Sequence, residues 1–291
     1  MEYVKIKPER PLCIDSLISL HYFEYAKDFA FAGEVHDFWE LVYADKNELY
    51  VTAGSTEFLL NAKQLYIHRP MEFHRVRCNG EKAANTVIVS FSSDCEQLSQ
   101  LAGRIIDCPP SLKPFLSKII AEPKAAFSTP LGDPYTAELI RRDGVPFGSE
   151  ELIVGCREMF LIELFRAENG DPESKAVEPD SSDSEIDAIL RFIEQNVCTR
   201  LTFDDICRHF SSSPSYIKKI FRDNVGCGVM EFYNLCRIDA AKQLIREKQM
   251  NFTQIADALK YTSVQYFTRA FKRYTNMTPS QYASSVLSGV K

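Results

Sequence analysis

The 291-residue chain has no run of eighteen apolar residues, so no membrane-spanning helix is expected. Its first ten residues, MEYVKIKPER, lack the apolar core of a signal peptide, which makes the cytoplasm the expected location. The nine cysteines (13, 78, 95, 108, 156, 198, 207, 227 and 236) form no CxxC pair and are odd in number. That argues against a disulfide framework or a thiolate zinc site as an organising device and favours free, buried thiols in a reducing compartment. Tryptophan occurs once, at Trp39. An excess of positive charge is also missing: 34 Lys+Arg against 40 Asp+Glu give a net charge of −6, which taken whole argues against a polyanionic partner.

Split in two, the charge reads differently. Residues 183–291 hold 15 Lys+Arg and 11 Asp+Glu, and residues 1–182 hold the other 19 and 29, so the halves carry +4 and −10. This asymmetry points to one part that meets a polyanion and one that does not. Hydrophobic residues make up 45% of the chain and charged residues 25%, a globular composition with enough apolar side chain for more than one core.

Six short segments between 17 and 91 (LISLHYFEY, FWELVYA, ELYVTAG, EFLLNA, QLYIH and TVIVSF) are rich in β-branched and aromatic residues and separated by polar or glycine-containing breaks. That spacing predicts an all-β barrel or sandwich. From about 95 the pattern turns helical, in CEQLSQLAGRII, LKPFLSKIIAE and SEELIVGCREMFLIELFRAE (149–168), the last with Leu152, Cys156, Met159 and Leu164 among its apolar positions. NGDPESKAVEPDSSDSE, from 169, has too little apolar surface to offset the entropy of ordering and reads as a flexible acidic linker. The expected organisation is therefore a β domain over 1–95, a helical region over 96–168, a linker over 169–184 and a helical domain over 185–291.

The last of these repeats itself. Phe203, Ile206 and Phe210 match Phe252, Ile255 and Leu259 at an offset of 49; after a one-residue slip, Ser213, Tyr216, Ile217, Lys219, Phe221, Arg222 and Phe232 match Ser263, Tyr266, Phe267, Arg269, Phe271, Lys272 and Tyr282 at an offset of 50. Start signals recur with the repeat: Thr202 with Asp205, Ser213-Pro214, Asn251 with Gln254, Ser263, and Thr278-Pro279. Each copy reads as a short helix, a tight turn and a second, basic helix, the helix-turn-helix arrangement. GVMEFYNLCRIDAAKQLIREK (228–248) between them is one long helix. Its nineteen or so residues span roughly 28 Å at 1.5 Å per residue, close to the roughly 34 Å between successive major-groove faces on one side of a duplex. A helical bundle with a solvated basic face is the competing explanation for either copy alone; two copies at one spacing reduce it to a small minority.

IADALKYTSVQYFTRAFKRYTNMTPSQY resembles the signature of AraC/XylS-type transcriptional regulators, and LTFDDICRHFSSSPSYIKKIFRDNVG and YNLCRIDAAKQLI resemble the same family, over about 186–283. Departures are Lys260 and Asn276 where the family usually has glycine, and Ala283 where it often has arginine. The resemblance implies Ser215, Lys218 and Lys219 as base-facing residues of the first reading helix, and Val264, Gln265, Thr268 and Arg269 of the second. Arg222, Lys272 and Arg273 are then phosphate contacts, which set register and salt dependence rather than sequence.

The strand-rich half resembles the cupin-like effector domain common in that family, through HDFWEL (36–41) and PMEFH (70–74). The implied fold is α+β and multi-domain: an N-terminal cupin-like β-barrel with flanking helices, then an all-α domain of two helix-turn-helix units joined by a long helix. His36, Glu40 and His74 could form a two-histidine, one-carboxylate metal site, but cupin sites usually place a second histidine where this chain has Phe38. No metal, cofactor or catalytic residue is assigned. His36, Trp39, Glu40 and His74 are read as candidate effector-pocket residues, with Trp39 favoured as core; His68 and Arg69, near the same strand end, are read as an ordinary exposed rim. The 149–168 helix is a candidate dimerisation element, with packing on its own domain as the competing role. The expectation is a non-enzymatic, sequence-specific regulator of transcription, an activator by the family's usual mode. Its expected partners are promoter DNA, a sugar or other metabolite as effector, a second copy of the chain, and RNA polymerase if it activates; no membrane is expected. Two alternatives stand beside it: a cupin metalloenzyme fused to a DNA-binding module, and a ligand-independent DNA-binding dimer.

Overall fold

The computed structural model describes residues 3–132, 138–170 and 181–288. The chain divides into two compact units, Met1–Lys175 and Ala176–Lys291. Most of the stretch read as a linker, residues 171–180, lies outside the described residues.

The strands described in the first unit are β1 (Ser16–Glu24), β2 (Trp39–Lys46), β3 (Leu49–Ala53), β4 (Thr56–Leu60), β5 (Gln64–His68), β6 (His74–Arg77), β7 (Asn85–Ser92) and β8 (Ile106–Asp107). Six of them are the six segments expected from sequence. β6 and β8 were not expected: β6 is the four residues HRVR, with one apolar side chain, and β8 has only two residues. The strands form two antiparallel sheets, ordered β1-β7-β2-β5-β8 and β4-β3-β6, rather than one closed barrel.

Alternation along β2 sorts side chains between two cores. Val42 and Ala44 turn toward the three-stranded sheet and cluster with Leu49, Val51, Leu60 and Val76. Trp39, Leu41 and Tyr43 turn the other way, into a core shared with Leu116 and Ile119 of α2 (Lys113–Ala126, after the single turn α1, Leu98–Leu101) and Phe160 and Leu164 of α3 (Ser149–Glu168). The helix expected over CEQLSQLAGRII shrinks to α1 because Gly103 adopts φ 81 and Ile106 pairs in β8. Along α3, Cys156 and Leu164 are buried as an apolar stripe requires, but Leu152 and Met159 are 50% and 53% exposed.

The second unit is helical throughout its described residues: α4 (Ser181–Gln195), α5 (Phe203–His209), α6 (Pro214–Val225), α7 (Val229–Glu247), α8 (Phe252–Ala258), α9 (Val264–Thr275) and α10 (Pro279–Ser288). It holds two cores. Ile189, Ile193, Ile206, Ile217 and Phe221 form the first with Val229 and Tyr233 from the start of α7. Ile255, Phe267, Phe271 and Tyr282 form the second with Ile238, Ala241 and Ile245 from its end. One helix thus serves both halves of the repeat.

Candidate functional site

The repeat in the second unit persists at the level of single hydrogen bonds. Thr202 and Asn251, 49 residues apart, each close a reciprocal capping box, with Asp205 and Gln254 as partners. The turn after each short helix is the same: Ser211 and Lys260 sit at φ 52 and 57, Ser212 N–H donates to Cys207 O, and Tyr261 N–H donates to Ala256 O. These are the left-handed residue and the six-to-one bond of a Schellman motif. Ser213 and Ser263 then cap α6 and α9 by accepting from Tyr216 N–H and Tyr266 N–H. Both second helices end in a left-handed residue, Gly226 at φ 74 and Asn276 at φ 60. Lys260, where glycine is the family's residue, keeps the turn while holding an ordinary side chain in a backbone region that costs it energy.

The apolar face of each second helix is fully buried: Ile217 and Phe221 in α6, Phe267 and Phe271 in α9, all at 0% exposure. The Phe267 and Phe271 rings meet edge to face at 5.8 Å. Docking that face leaves the opposite one outward. Ser215, Lys218, Lys219 and Arg222 are exposed on α6, and Gln265, Arg269, Lys272 and Arg273 on α9; Val264 and Thr268 are half-buried, and Val264 packs against the second core. Among the described residues, none of these six cations is paired with a carboxylate. Lys218 leans over the Phe203 ring at 5.3 Å and Arg273 over Tyr274 at 5.7 Å.

Arg237 of α7 plays a role not anticipated from sequence. It is buried, its Nε and Nη2 donate to Leu259 O at 3.1 and 2.6 Å, and its guanidinium lies 3.7 Å from the Tyr261 ring centroid. It ties the end of α8 to the long helix and so fixes the turn that aims α9.

In the first unit a cavity of about 400 Å³ opens beside the inner face of the five-stranded sheet, with Phe23, Tyr25, Phe29, Phe31 and Phe38 on its apolar walls and Glu34, Glu40, His74 and Ser90 at its polar end. Glu40 is on the inner face of β2, where it accepts from Ser90 Oγ at 3.1 Å; Ser90 in turn accepts from Ser19 at 2.8 Å. His74 Nε2 is 3.4 Å from Glu40 Oε1 and 3.7 Å from Glu34 Oε1, and His36 Nε2 is 3.6 Å from Glu40 Oε2. The His68 ring stacks on that of His74 at 4.5 Å and donates from Nδ1 to Glu72 at 3.0 Å.

Burial drives the Glu40 carboxyl up, but His36, His74 and His68 outweigh burial and hold it below the usual carboxylate range. His74 lowers the Glu34 carboxyl as well. Burial likewise opposes a proton on His74, yet Glu34 and Glu40 raise its affinity for one. At His68 the Glu40 charge offsets too little, and burial, with His74 beside it, brings it down to about 3.

Of the four residues read as a pocket, His36, Glu40 and His74 come together. Trp39 does not: it occupies the opposite face of β2, in the helix-backed core, with its indole N–H donated to Ser93 O. Two adjacent strand residues cannot share a face, and that alternation was a usable signal. His68 is not part of an exposed rim, whereas Arg69 is exposed as that reading requires. His68 is completely buried, and Arg69 donates to Ser99 O and Ala102 O at the end of α1, against Gly103, where any Cβ would strike its guanidinium. Glu34 was missed because it lies in a segment without strand pattern, and a single antiparallel bridge to His74 puts it in place.

Residues 206–285 match the family model described as a helix-turn-helix domain. YtdP of Bacillus subtilis strain 168, an uncharacterised HTH-type transcriptional regulator, is 33% identical over 96 residues, which are 33% of this chain and 12% of the relative. HptR of Staphylococcus aureus strain NCTC 8325 / PS 47, a transcriptional regulatory protein, is 28% identical over 139 residues, 45% of this chain and 54% of the relative. The chain thus spans less than two thirds of either relative. A solved structure of ToxT from Vibrio cholerae strain SCE256, with an unsaturated fatty acid bound, overlays 93% of this chain and 96% of its own at 15% identity, but its TM-score of 0.34 gives the overlay no weight.

Proposed function

We propose, on the premise that the C-terminal unit carries an AraC-type helix-turn-helix domain, that the chain is a sequence-specific, DNA-binding regulator of transcription and not an enzyme. The observation that carries this reading is the doubled one: α6 and α9, each fixed by the same cap, turn and buried aromatic or aliphatic face, present cations at matching positions that pair with no carboxylate among the described residues. A major groove admits such a helix, Lys or Arg bonds guanine O6 and N7, and Gln pairs with adenine.

Ser215, Lys218, Lys219, Val264, Gln265, Thr268 and Arg269 face bases, and Arg222, Lys272 and Arg273 face phosphates. Half-burial of Val264 and Thr268 leaves Gln265 and Arg269 as the main readers on α9. The N-terminal unit, 1–168 by its sequence pattern, holds a small effector in the aromatic-walled cavity, whose volume is within the range of small-molecule sites. The exposed Leu152 and Met159 of α3 are the core of a homodimer contact. The unit changes how the C-terminal units are presented on a promoter, and the mode is activation.

Selection of genomic fragments by the full chain, followed by a salt titration on the best fragment, tests the reading. Binding should fall steeply with salt. Arg269→Ala should lose about 1–3 kcal/mol on the selected site and relax its sequence preference. Lys272→Ala should weaken all fragments alike and reduce the salt slope by about one. No binding to any fragment at low salt overturns the proposal; equal, uniform losses in the two variants overturn the division of roles.

A further inference from the structure

We infer that Glu34, His36, Glu40 and His74 bind a first-row divalent transition-metal ion at the polar end of the N-terminal cavity. Their ligand atoms all lie within 4.8 Å of one another. The individual gaps of 3.4, 3.6 and 3.7 Å are too long for hydrogen bonds. They match the edge of a coordination shell, since two ligands each about 2.1 Å from one ion and at the tetrahedral angle stand about 3.4 Å apart.

The tautomers point the same way. His36 Nδ1–H donates to Phe38 O at 3.1 Å, and His74 Nδ1–H donates to Glu72 O at 2.9 Å. Each ring therefore turns the lone pair of Nε2 inward, and neither Nε2 has a hydrogen-bond partner although both are buried. A ligating histidine is oriented in this way, its second nitrogen held by a backbone carbonyl. The Phe38 ring, stacked on His36 at 3.6 Å, holds that imidazole flat. Ser90 holds the Glu40 carboxylate, and the reciprocal backbone bonds of the Glu34–His74 bridge set Glu34 opposite His74.

Glu34 supplies the fourth group that a two-histidine, one-carboxylate reading of the sequence lacked. Two imidazoles with two carboxylates suit Zn²⁺, Fe²⁺ or Co²⁺, and disfavour Mg²⁺ and Ca²⁺, which take oxygen ligands. The inference concerns the N-terminal unit alone and is measured without DNA, so it stands or falls separately from the regulatory reading.

Co²⁺ is the probe. Titrated into the full-length, EDTA-stripped protein, it should give visible d–d absorption that saturates at one ion per chain, with no sulfur-to-cobalt charge-transfer band. Glu34→Gln alters a half-exposed residue and leaves the fold intact; it should weaken Co²⁺ by at least tenfold. His74→Ala should abolish the d–d signal, and Glu57→Gln, on the outer face of the small sheet, should change nothing. Absence of a saturable signal overturns the inference. So does a thiolate charge-transfer band, which places the ion on the cysteines, or equal Co²⁺ affinity in native protein and Glu34→Gln, which removes Glu34 from the site.

Discussion

In the C-terminal unit the charged groups of interest stand outside the cores: Lys219, Arg222, Arg269 and Lys272 are exposed while Phe221 and Phe271 behind them are at 0%. In the N-terminal unit the arrangement is inverted, and Glu40, His68 and His74 are sealed between two sheets. An outward cation on a helix meets a large polyanion and needs only a rigid support. An inward carboxylate among imidazoles is costly to bury unless something compensates it, and at Glu40 the neighbouring imidazoles of His36 and His74 do so.

Removing the support is the most severe way to break this comparison. Phe271→Ala empties the space behind α9 and should cost about 3–5 kcal/mol of C-terminal stability. Thermal unfolding followed by calorimetry should then show one transition lowered and the N-terminal one unchanged. A smaller effect of opposite sign is expected at Arg157 of α3. It is 2% exposed, its guanidinium has no hydrogen-bond partner, and burial depresses its pKa to about 9. Arg157→Met removes an uncompensated buried cation and should stabilise the N-terminal unit by about 1–4 kcal/mol. A loss of stability in urea unfolding would show that the N-terminal unit does rely on this one inward charge.

The smallest change sharpens the likeness of the two repeat copies. Lys260→Gly relieves the left-handed backbone at φ 57 and should raise the C-terminal midpoint by the equivalent of about 1 kcal/mol, without altering DNA preference. A shift in preference would mean that the Lys260 side chain itself touches DNA.

How far the sequence could be read follows from the distance over which each feature is encoded. Caps, turns and the buried Ile217/Phe221 and Phe267/Phe271 pairs are set by residues within four positions of each other, so both helix-turn-helix copies were visible down to Thr202/Asp205 and Asn251/Gln254. The six longer strands were visible for the same reason. β6, with Val76 as its one apolar residue, was not, and Glu34 depends on a bridge forty residues away. Pairing between distant segments leaves no local period. Trp39, a pocket candidate favoured as core, is core, as its place beside Glu40 required, because consecutive strand residues face apart.

The long helix α7 sets one more property. Because Val229 and Tyr233 belong to one core and Ile238, Ala241 and Ile245 to the other, the two cores share a single stiff rod of 19 residues. If α6 and α9 read a duplex as proposed, the protein is the ruler and the operator must fit it. Two recognised sub-sites keep their phase only when separated by a whole helical repeat of about 10 base pairs. Half a repeat inserted between them would turn one sub-site to the far side of the duplex, where no bend in α7 can follow it.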